Sequence, residues 1–220
     1  MKKCIVLLSG GLDSSVMLAM AAEEKYDEVY ALSFDYGQRH SPELECARLQ
    51  AKLWGVKEHK TLRLDLRKIG GSSLTDLNIK VPKDSKYKDV IPSTYVPARN
   101  TIFLSFALAW AEVLEAEDIF IGANRQDYIS YPDCRKEYFD AFEILANLST
   151  RASAEGKLKF KIKTPLLFMT KKEIIEKGIQ LGVDFSKTFS CYDPDGEGKP
   201  CRSCDACRLR EDGFAGNDFC

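Results

Sequence analysis

The sequence lacks both a membrane-spanning segment and an excess of one charge. No apolar run approaches the ~20 residues that a membrane helix needs. The 32 Lys and Arg residues balance 33 Asp and Glu residues to a net charge of −1, so the chain has no global basic footprint for nucleic acid. The start Met-Lys-Lys and its short apolar run imitate a secretory signal, but a glycine turn interrupts the run and no small-residue cleavage site follows. We therefore expect a cytoplasmic protein that binds neither membranes nor, stably, nucleic acid.

Histidine is almost absent, whereas cysteine is plentiful and clustered. The only histidines, His40 and His59, lie far in sequence from a group of four cysteines: Cys191, Cys201, Cys204 and Cys207. Four thiolates at this spacing suit a closed tetrahedral zinc site, which would fasten the C-terminal segment to the core. An iron–sulfur cluster uses the same ligands, and unliganded surface thiols are a further alternative.

Residues 5–14 read Ile-Val-Leu-Leu-Ser-Gly-Gly-Leu-Asp-Ser, and an amphipathic stretch follows at once. This order predicts a strand, a glycine loop and a helix. Glycines let backbone N–H groups approach an anion, and the helix N-terminus adds unpaired donors. A Walker A loop would need a lysine here, and a dinucleotide fingerprint would need a third glycine. We predict a phosphate site, the alternative being a plain turn in which Asp13 and Ser14 cap the helix.

Strand and helix patterns alternate along the chain. Strands are predicted over Ile5–Leu8, Glu28–Phe34, Glu58–Leu64, Asp118–Gly122 and Phe160–Ile162. Helices are predicted over Ser14–Glu24, Pro42–Trp54, 100–114, Glu137–Leu148 and Lys171–Leu181. This alternation indicates an α/β fold, a Rossmann-like parallel sheet with helices on both faces. Residues 65–98 break this alternation. We predict that they form either a lid over the nucleotide site or a solvated surface insertion.

The glycine loop resembles the pyrophosphate loop, Ser-Gly-Gly-x-Asp-Ser, of the ATP pyrophosphatase (PP-loop) superfamily. Its fixed positions are all present, as Ser9, Gly10, Gly11, Asp13 and Ser14. Members of that superfamily bind ATP and transfer its AMP part to a substrate oxygen, which releases pyrophosphate. The resemblance implies the adenine nucleotide alpha hydrolase-like form of the Rossmann-like fold.

More specific motifs follow in order through nearly the whole chain, and with them it resembles the 7-cyano-7-deazaguanine synthase family of queuosine biosynthesis. The matching segments are Tyr36-Gly37-Gln38-Arg39-His40, Val96-Pro97-Ala98-Arg99-Asn100 with Phe103-Leu104, Gly122, Asn124 and Asp127 with Tyr131-Pro132-Asp133-Cys134-Arg135, Lys163-Thr164-Pro165-Leu166, Thr170-Lys171 and the cysteine quartet. The resemblance implies an ATP-dependent carbon–nitrogen ligase. Such an enzyme converts 7-carboxy-7-deazaguanine and ammonia to the 7-nitrile through an adenylated carboxylate and an amide. It also implies ATP, Mg²⁺ and Zn²⁺ as cofactors, and a homodimer.

The same resemblance assigns site residues. Nucleotide binding is expected from Leu8, Ser9, Gly10, Gly11, Leu12, Asp13, Ser14, Ser15, Val16, Met17 and Leu18. Catalysis is expected from Ser9, Asp13, Ser14, Arg99 and Lys163, and binding of the base from Tyr131, Asp133 and Arg135. Asp13 would hold Mg²⁺ or fix the loop, and Asp133 would pair with the amino-pyrimidine edge of the base, with a simple turn role as its alternative. We expect a catalytic domain over residues 1–183 and a zinc-binding segment over 184–220.

At some positions the sequence departs from the family pattern, so the pattern does not predict the local backbone geometry there. Ala98 and Arg202 stand where glycine is expected, and Ile129-Ser130 stands where Ser-Gly is expected and could alter the base pocket. Another adenylating enzyme, such as a tRNA-modifying thiolase, is the first rival function. The second is a nucleotide-sensing module that binds nucleic acid through its zinc segment, which only Arg202, Arg208 and Arg210 support.

Overall fold

Residues 1–39, 42–83 and 91–216 are described by a computed structural model, and they contain a parallel sheet. Its order is β3-β2-β1-β4-β5, and every neighbouring pair is parallel. The strands are β1 (Lys3–Leu7), β2 (Glu28–Asp35), β3 (Glu58–Arg63), β4 (Asp118–Phe120) and β5 (Lys161–Lys163). Each overlaps a predicted strand, so the predicted fold class is confirmed.

Eight α-helices connect and follow the strands within the described residues. They are α1 (Leu12–Glu23), α2 (Pro42–Leu53), α3 (Arg99–Leu114), α4 (Arg125–Ser130), α5 (Lys136–Ser149), α6 (Arg151–Ala154), α7 (Lys171–Gln180) and α8 (Asp205–Phe214). The sequence patterns did not predict α4, α6 or α8. None of the described helices is long and apolar enough to cross a membrane.

Side chains of β1 alternate between two cores, as the pleat of a strand requires. Ile5 and Leu7 pack with α3 and α5, whereas Cys4 and Val6 pack with α1, α2 and α7. Helices therefore cover both faces of the sheet, which explains why β1 is a continuous apolar run.

The order of the strands reverses between β1 and β4, because the chain runs outward from β1 to β3 and then crosses back to β4. In open parallel sheets, ligands bind beyond the carboxyl ends of the strands at such a switch point. The glycine loop directly follows β1, so the fold places it at this position.

The irregular segment 65–98 packs against the cysteine quartet. Leu74, Val81 and Val96 form a small buried cluster with Cys191, Cys204 and Cys207. Ser72 and Ser73 are also completely buried. The described part of the segment does not line the main cavity and is partly buried, with exposed residues between the buried ones, so the two predicted alternatives stay predictions.

The C-terminal segment is in close contact with the sheet domain. Helix α8 packs on α7 so tightly that a Cβ atom at Gly213 would lie 2.6 Å from Lys171 Cγ. The proposed boundary between residues 183 and 184 stays a prediction, and residues 217–220, including Cys220, lie outside the described residues.

Candidate active site and cysteine cluster

Gly10 allows the loop after β1 to touch α2. Its φ is +84°, a conformation that favours glycine, and a Cβ atom there would lie 2.0 Å from the carbonyl oxygen of Glu43. By contrast, Gly11 has an ordinary φ of −75°, and a Cβ atom there would meet nothing closer than 3.3 Å. The first glycine is therefore required by packing and the second is not.

The loop backbone folds around the Ser14 hydroxyl. Ser9 N and Gly10 N both donate to Ser14 Oγ at 3.2 Å, and the Ser9 and Ser14 hydroxyls are 2.9 Å apart. These N–H groups converge at the N-terminus of α1, where an anion is favoured. Ser15 differs, because it is completely buried and its hydroxyl donates 2.8 Å back to the carbonyl of Gly11.

A cavity of about 270 Å³ opens beside this loop. Of the residues expected to bind nucleotide, the cavity is lined by Leu8, Ser9, Gly11, Leu12, Asp13 and Ser14. Val16, Met17 and Leu18 are completely buried in the core instead and do not line it. The predicted loop therefore faces a cavity, while the following helical turn supports it from behind.

Asp13 anchors a charged cluster at one side of the cavity. Its two carboxylate oxygens accept from Lys171 Nζ at 2.6 and 2.7 Å, and Asn124 Nδ2 donates to it at 3.2 Å. Asp127 accepts from the Asn124 backbone N at 3.1 Å in a capping box of α4. Burial, followed by the nearby charge of Asp13, raises the pKa of Asp127 to about 6. The crowding of these carboxylates favours a bound cation.

A second group of residues that line the cavity lies near the end of β2. The Arg99 guanidinium lies 5.9 Å from the centre of the Tyr36 ring, and Gln38 Nε2 is 3.4 Å from Glu43 Oε1. Burial raises the pKa of Glu43 to about 7, although Gln38 and Arg99 oppose the shift. Arg99 was expected in the site, and the structure places it there.

The C-terminal segment also contributes residues to the lining of the cavity. Phe189 N donates to the carbonyl of Gly10 at 3.0 Å, and Leu12 N donates to Ser190 Oγ at 3.2 Å. Arg210 of α8 also lines the cavity. Residues just before Cys191 are therefore bonded directly to the glycine loop.

The four predicted metal ligands meet in space. Their Sγ atoms all lie within 4.8 Å of one another, close to the roughly 3.8 Å that tetrahedral zinc with Zn–S bonds of ~2.3 Å requires. Backbone N–H groups point at the sulfurs, with Asp193 N and Cys201 N both 3.3 Å from Cys191 Sγ. Such donors stabilise thiolates, so the cluster fits a structural metal.

The residues predicted to bind the base lie outside the cavity lining. Asp133 Oδ2 accepts from Asn100 N at 3.1 Å, at the start of α3, where it positions the neighbouring Arg99. The Tyr131 hydroxyl is 2.9 Å from that of Thr94, and Arg135 is exposed. Lys163, predicted to be catalytic, ends β5 and also does not line the cavity. These assignments stay predictions.

Cysteines outside the quartet do not form a reactive pair among the described residues. Cys134 lines the cavity, but burial, with the charges of Asp127 and Asp133, raises the pKa of its thiol. Cys4 lies at the other end of β1, and burial raises the pKa of its thiol to about 12. Both thiols are protonated at neutral pH, unlike the nucleophile that a thiolase needs.

Ala98 and Arg202, which stand where glycine is expected, both have a glycine-like backbone conformation. Ala98 has a φ of 54° and Arg202 a φ of 57°, the left-handed conformation that glycine adopts most easily. Ile129 and Ser130 belong to α4 and do not line the main cavity. His40, part of one matching segment, lies outside the described residues.

Sequence reasoning assigned no catalytic or nucleotide-binding role to several cavity residues: Glu43, Asn124, Asp127, Lys171 and Arg210. A signal existed for some of them. Asn124 and Asp127 belong to a block that matches the family and lies shortly after a predicted strand, and Lys171 opens a predicted helix behind Thr170. Nothing in the spacing placed Arg210 near residue 13, because that contact depends on how α8 docks.

A glycine loop at the carboxyl end of the first strand of a parallel sheet, beside its switch point, defines a doubly wound α/β protein. The fold is similar to a structure described as NMN synthetase from Francisella tularensis. The TM-score is 0.52 at 17% sequence identity, covering 100% of this chain and 79% of that chain. At this identity the likeness shows the fold alone.

Sequence comparison identifies the family. The family described as "Queuosine biosynthesis protein QueC" matches residues 3–218. A 7-cyano-7-deazaguanine synthase from Geobacter metallireducens is 59% identical over 214 residues, 97% of this chain and 89% of that protein. Another, from Geotalea daltonii, is 60% identical over 214 residues, 97% of this chain and 92% of that protein. The chain therefore belongs to the QueC family, and the family expected from its motifs is confirmed.

Proposed function

We propose that this chain is an ATP-dependent ligase of the cytoplasm that converts 7-carboxy-7-deazaguanine and ammonia to 7-cyano-7-deazaguanine. Its family and its relatives' names support the reaction. The observation that carries the proposal is the phosphate-binding loop, which faces a cavity lined by both cations and carboxylates.

The proposed chemistry needs two activations. The substrate carboxylate attacks the α-phosphorus of ATP, pyrophosphate leaves, and ammonia then displaces AMP to give an amide. The amide oxygen attacks a second ATP in the same way, and loss of AMP and protons leaves the nitrile. Both steps place an α-phosphate beside a substrate oxygen, so a single site that orients the two groups serves for each.

The residues around the loop supply orientation and charge. The N–H groups at the start of α1 and the Ser9 and Ser14 hydroxyls would hold the phosphates of ATP. Lys171, Arg99 and Arg210 line the cavity and would offset the charge that develops on the phosphate oxygens. Lys171 already neutralises Asp13 at 2.6 Å, so phosphate and carboxylate would share this cation.

Mg²⁺ and Zn²⁺ both find suitable donors. Asp13 and Asp127 offer the oxygen ligands that Mg²⁺ prefers, and a bound cation would offset the burial and the Asp13 charge that raise the pKa of Asp127 to about 6. Mg²⁺ bound by them would neutralise phosphate charge. The cysteine quartet would hold Zn²⁺ in a closed, structural site.

The test is a reaction of the purified protein with ATP, Mg²⁺, ammonium and 7-carboxy-7-deazaguanine, followed by chromatography of bases and nucleotides. We expect the nitrile together with AMP and pyrophosphate. Consumption of other carboxylates without nitrile would overturn the substrate, and ADP in place of AMP would overturn the adenylated intermediate. Metal analysis should give about one zinc per chain, whereas iron with visible absorbance would contradict a zinc site.

A homodimer is also part of the proposal. Helices α3 and α5 cover one face of the sheet, yet their outer surfaces remain apolar, with Val113 80% and Leu148 79% exposed. Phe106, Ile144 and Leu145 are exposed on the same helices. Several large apolar side chains exposed on two helices of one face are typical of a protein interface, and the same surface on two copies can pair about a two-fold axis.

Light scattering after size exclusion tests this interface. We expect a dimer for the natural chain and a monomer for Leu148→Asp, because a buried unpaired carboxylate is costly. Ile179→Asp on α7, where the natural side chain is 63% exposed, is the matched control and should stay dimeric. A monomeric natural chain, or a dimeric Leu148→Asp variant, would contradict the proposed surface.

A further inference from the structure

The cavity is lined by three carboxylates, and two of them are occupied by protein partners. Asp13 is bound by Lys171 and Asn124, and Asp127 by the backbone of Asn124. For Glu43, the partners among the described residues are its own backbone N–H and Gln38, whose contact is long at 3.4 Å. Glu43 therefore has acceptor capacity to spare at the cavity surface.

Aromatic side chains line the cavity near Glu43, because Gln38 Nε2 lies 3.4 Å from both Glu43 Oε1 and the carbonyl oxygen of Phe34. Phe34, Tyr36 and Phe103 all line it, with ring centres of Phe34 and Phe103 4.0 Å apart and those of Tyr36 and Phe103 5.5 Å apart. Apolar surface beside a polar anchor is typical of sites for planar heterocycles. A flat base can bury its faces here while its polar edge reaches Glu43.

We propose that Glu43 recognises the base, by accepting hydrogen bonds from the adjacent ring N–H and 2-amino groups of the deazaguanine substrate. This inference rests on the proposed function and names the part of the site that selects the substrate. A carboxylate accepts through both oxygens and donates through neither. Two neighbouring donors therefore match it, whereas the adenine of ATP presents one amino donor beside an acceptor nitrogen.

The placement of the other carboxylates supports this choice. Asp133, the residue that the sequence suggested for the task, instead accepts from Asn100 N at 3.1 Å. The backbone of Glu43 is fixed against the loop through Gly10, so its side chain projects from a rigid base. Burial holds the pKa of Glu43 at about 7, and two charge-stabilising donors from a ligand would relieve that cost.

The test compares Glu43→Gln with Glu45→Gln, an exposed carboxylate on the same helix, in the full-length protein. We measure the dissociation constant of 7-carboxy-7-deazaguanine by calorimetry, and kcat and both KM values in the nitrile assay. Loss of a paired contact predicts base affinity weaker by roughly 10–100-fold in Glu43→Gln, with KM for ATP changed by less than about twofold. Glu45→Gln should behave as the natural chain.

A substrate analogue without the 2-amino group sharpens the result. The natural chain should bind it roughly tenfold more weakly than the substrate, and Glu43→Gln should no longer distinguish the two. Glu43→Asp keeps the charge at a shorter reach and should fall between the natural chain and Glu43→Gln. It also provides the measurement if the glutamine variant fails to fold, as judged by circular dichroism.

Other outcomes overturn the inference in distinguishable ways. Unchanged base affinity in Glu43→Gln or Glu43→Asp, with nitrile still formed by the natural chain, removes Glu43 from base recognition alone. A raised KM for ATP would assign Glu43 to the nucleotide, and a fall in kcat alone would assign it to proton transfer. A natural chain that neither binds the base nor forms nitrile overturns the proposed function and this inference together.

Discussion

Gly10 is the residue on which contact between the glycine loop and α2 depends. We predict that Gly10→Ala lowers the free energy of unfolding by about 2–4 kcal/mol, because it combines left-handed strain with overpacking. A Cβ atom there would lie 2.0 Å from the carbonyl oxygen of Glu43. Urea denaturation of Gly10→Ala and Gly11→Ala checks this. Equal destabilisation of the two variants would contradict it, since Gly11 has an ordinary φ of −75°.

Glu43 should make stability depend on pH. Its pKa is raised from 4.5 to about 7 in the folded protein, so between these values the folded state binds more protons than the unfolded state. Stability therefore falls as pH rises through this window, by at most about 1.4 kcal/mol per pKa unit. When pH rises from 4.5 to 7.5, we expect the free energy of unfolding of Glu43→Gln to fall by about 1–3 kcal/mol less than that of the natural chain.

Urea denaturation at these two pH values measures the effect. Glu45→Gln is the control and should keep the pH dependence of the natural chain, because Glu45 is exposed. If Glu43→Gln and the natural chain lose the same free energy, Glu43 is solvated rather than buried beside the loop.

At the level of residues, the sequence predicted a loop whose residues are neighbours in the chain. It missed contacts between residues that only folding brings together. Ser9 to Ser14 are neighbours in the chain, and their spacing alone predicts a phosphate loop. Asp133 was expected to bind the base because its residue type suits that task, and this role stays a prediction. In the structure it accepts from Asn100 N, a contact that no spacing within the chain reveals.

Helix α3 ends on a residue with a conformation unfavourable for its type. Glu115 is exposed and has a φ of 56°, while its N–H bonds back to the carbonyls of Ala111 and Glu112. Helices commonly end in this way on glycine. We predict that Glu115→Gly raises the free energy of unfolding by about 1 kcal/mol, which corresponds to a melting temperature about 2–4 °C higher.

Glu115→Ala separates backbone strain from loss of the carboxylate. Alanine keeps the Cβ atom and so the strain, and thermal unfolding of this variant should match the natural chain within about 0.5 kcal/mol. An equal gain in both variants would show that the side chain, rather than the backbone, is unfavourable at this position.

Elements with strong periodicity were predicted well, and short polar ones were not. The predicted strand Glu28–Phe34 and helix Pro42–Trp54 each end within one residue of β2 and α2. Helix α4 spans only Arg125–Ser130 and has no buried residues, so it carries no hydrophobic pattern. Helix α8 begins directly after Cys204, contains Cys207 and has a polar sequence, and its packing on α7 is a tertiary contact.

Across the whole molecule, the cysteine cluster and the nucleotide cavity are linked through Ser190 and Phe189. Their hydrogen bonds to Leu12 N and the Gly10 carbonyl hold the loop, and each contributes about 0.5–1.5 kcal/mol. We predict that removing zinc with a chelator weakens ATP binding roughly tenfold or more. Calorimetry with a non-hydrolysable ATP analogue measures the loss, and added zinc should restore the affinity.

Substitution of single cysteines provides the matched comparison. Cys201→Ser should reproduce the effect of the chelator, whereas Cys46→Ser, on α2 and outside the quartet, should leave ATP binding unchanged. Full ATP affinity in the zinc-free protein would show that the loop holds its shape without the cluster.

Because Ser190 contacts Leu12, the glycine loop can reach its final structure only late in synthesis of the protein. A ribosome that has completed the glycine loop must still translate the chain to residue 207 before the cysteines can close behind it. At about 5–20 residues per second, the nascent chain therefore spends on the order of ten seconds or more with an unfinished loop. Newly made protein should therefore reach its full affinity for ATP only after release, and fragments that stop short of the cysteines would compete only weakly for the cellular nucleotide.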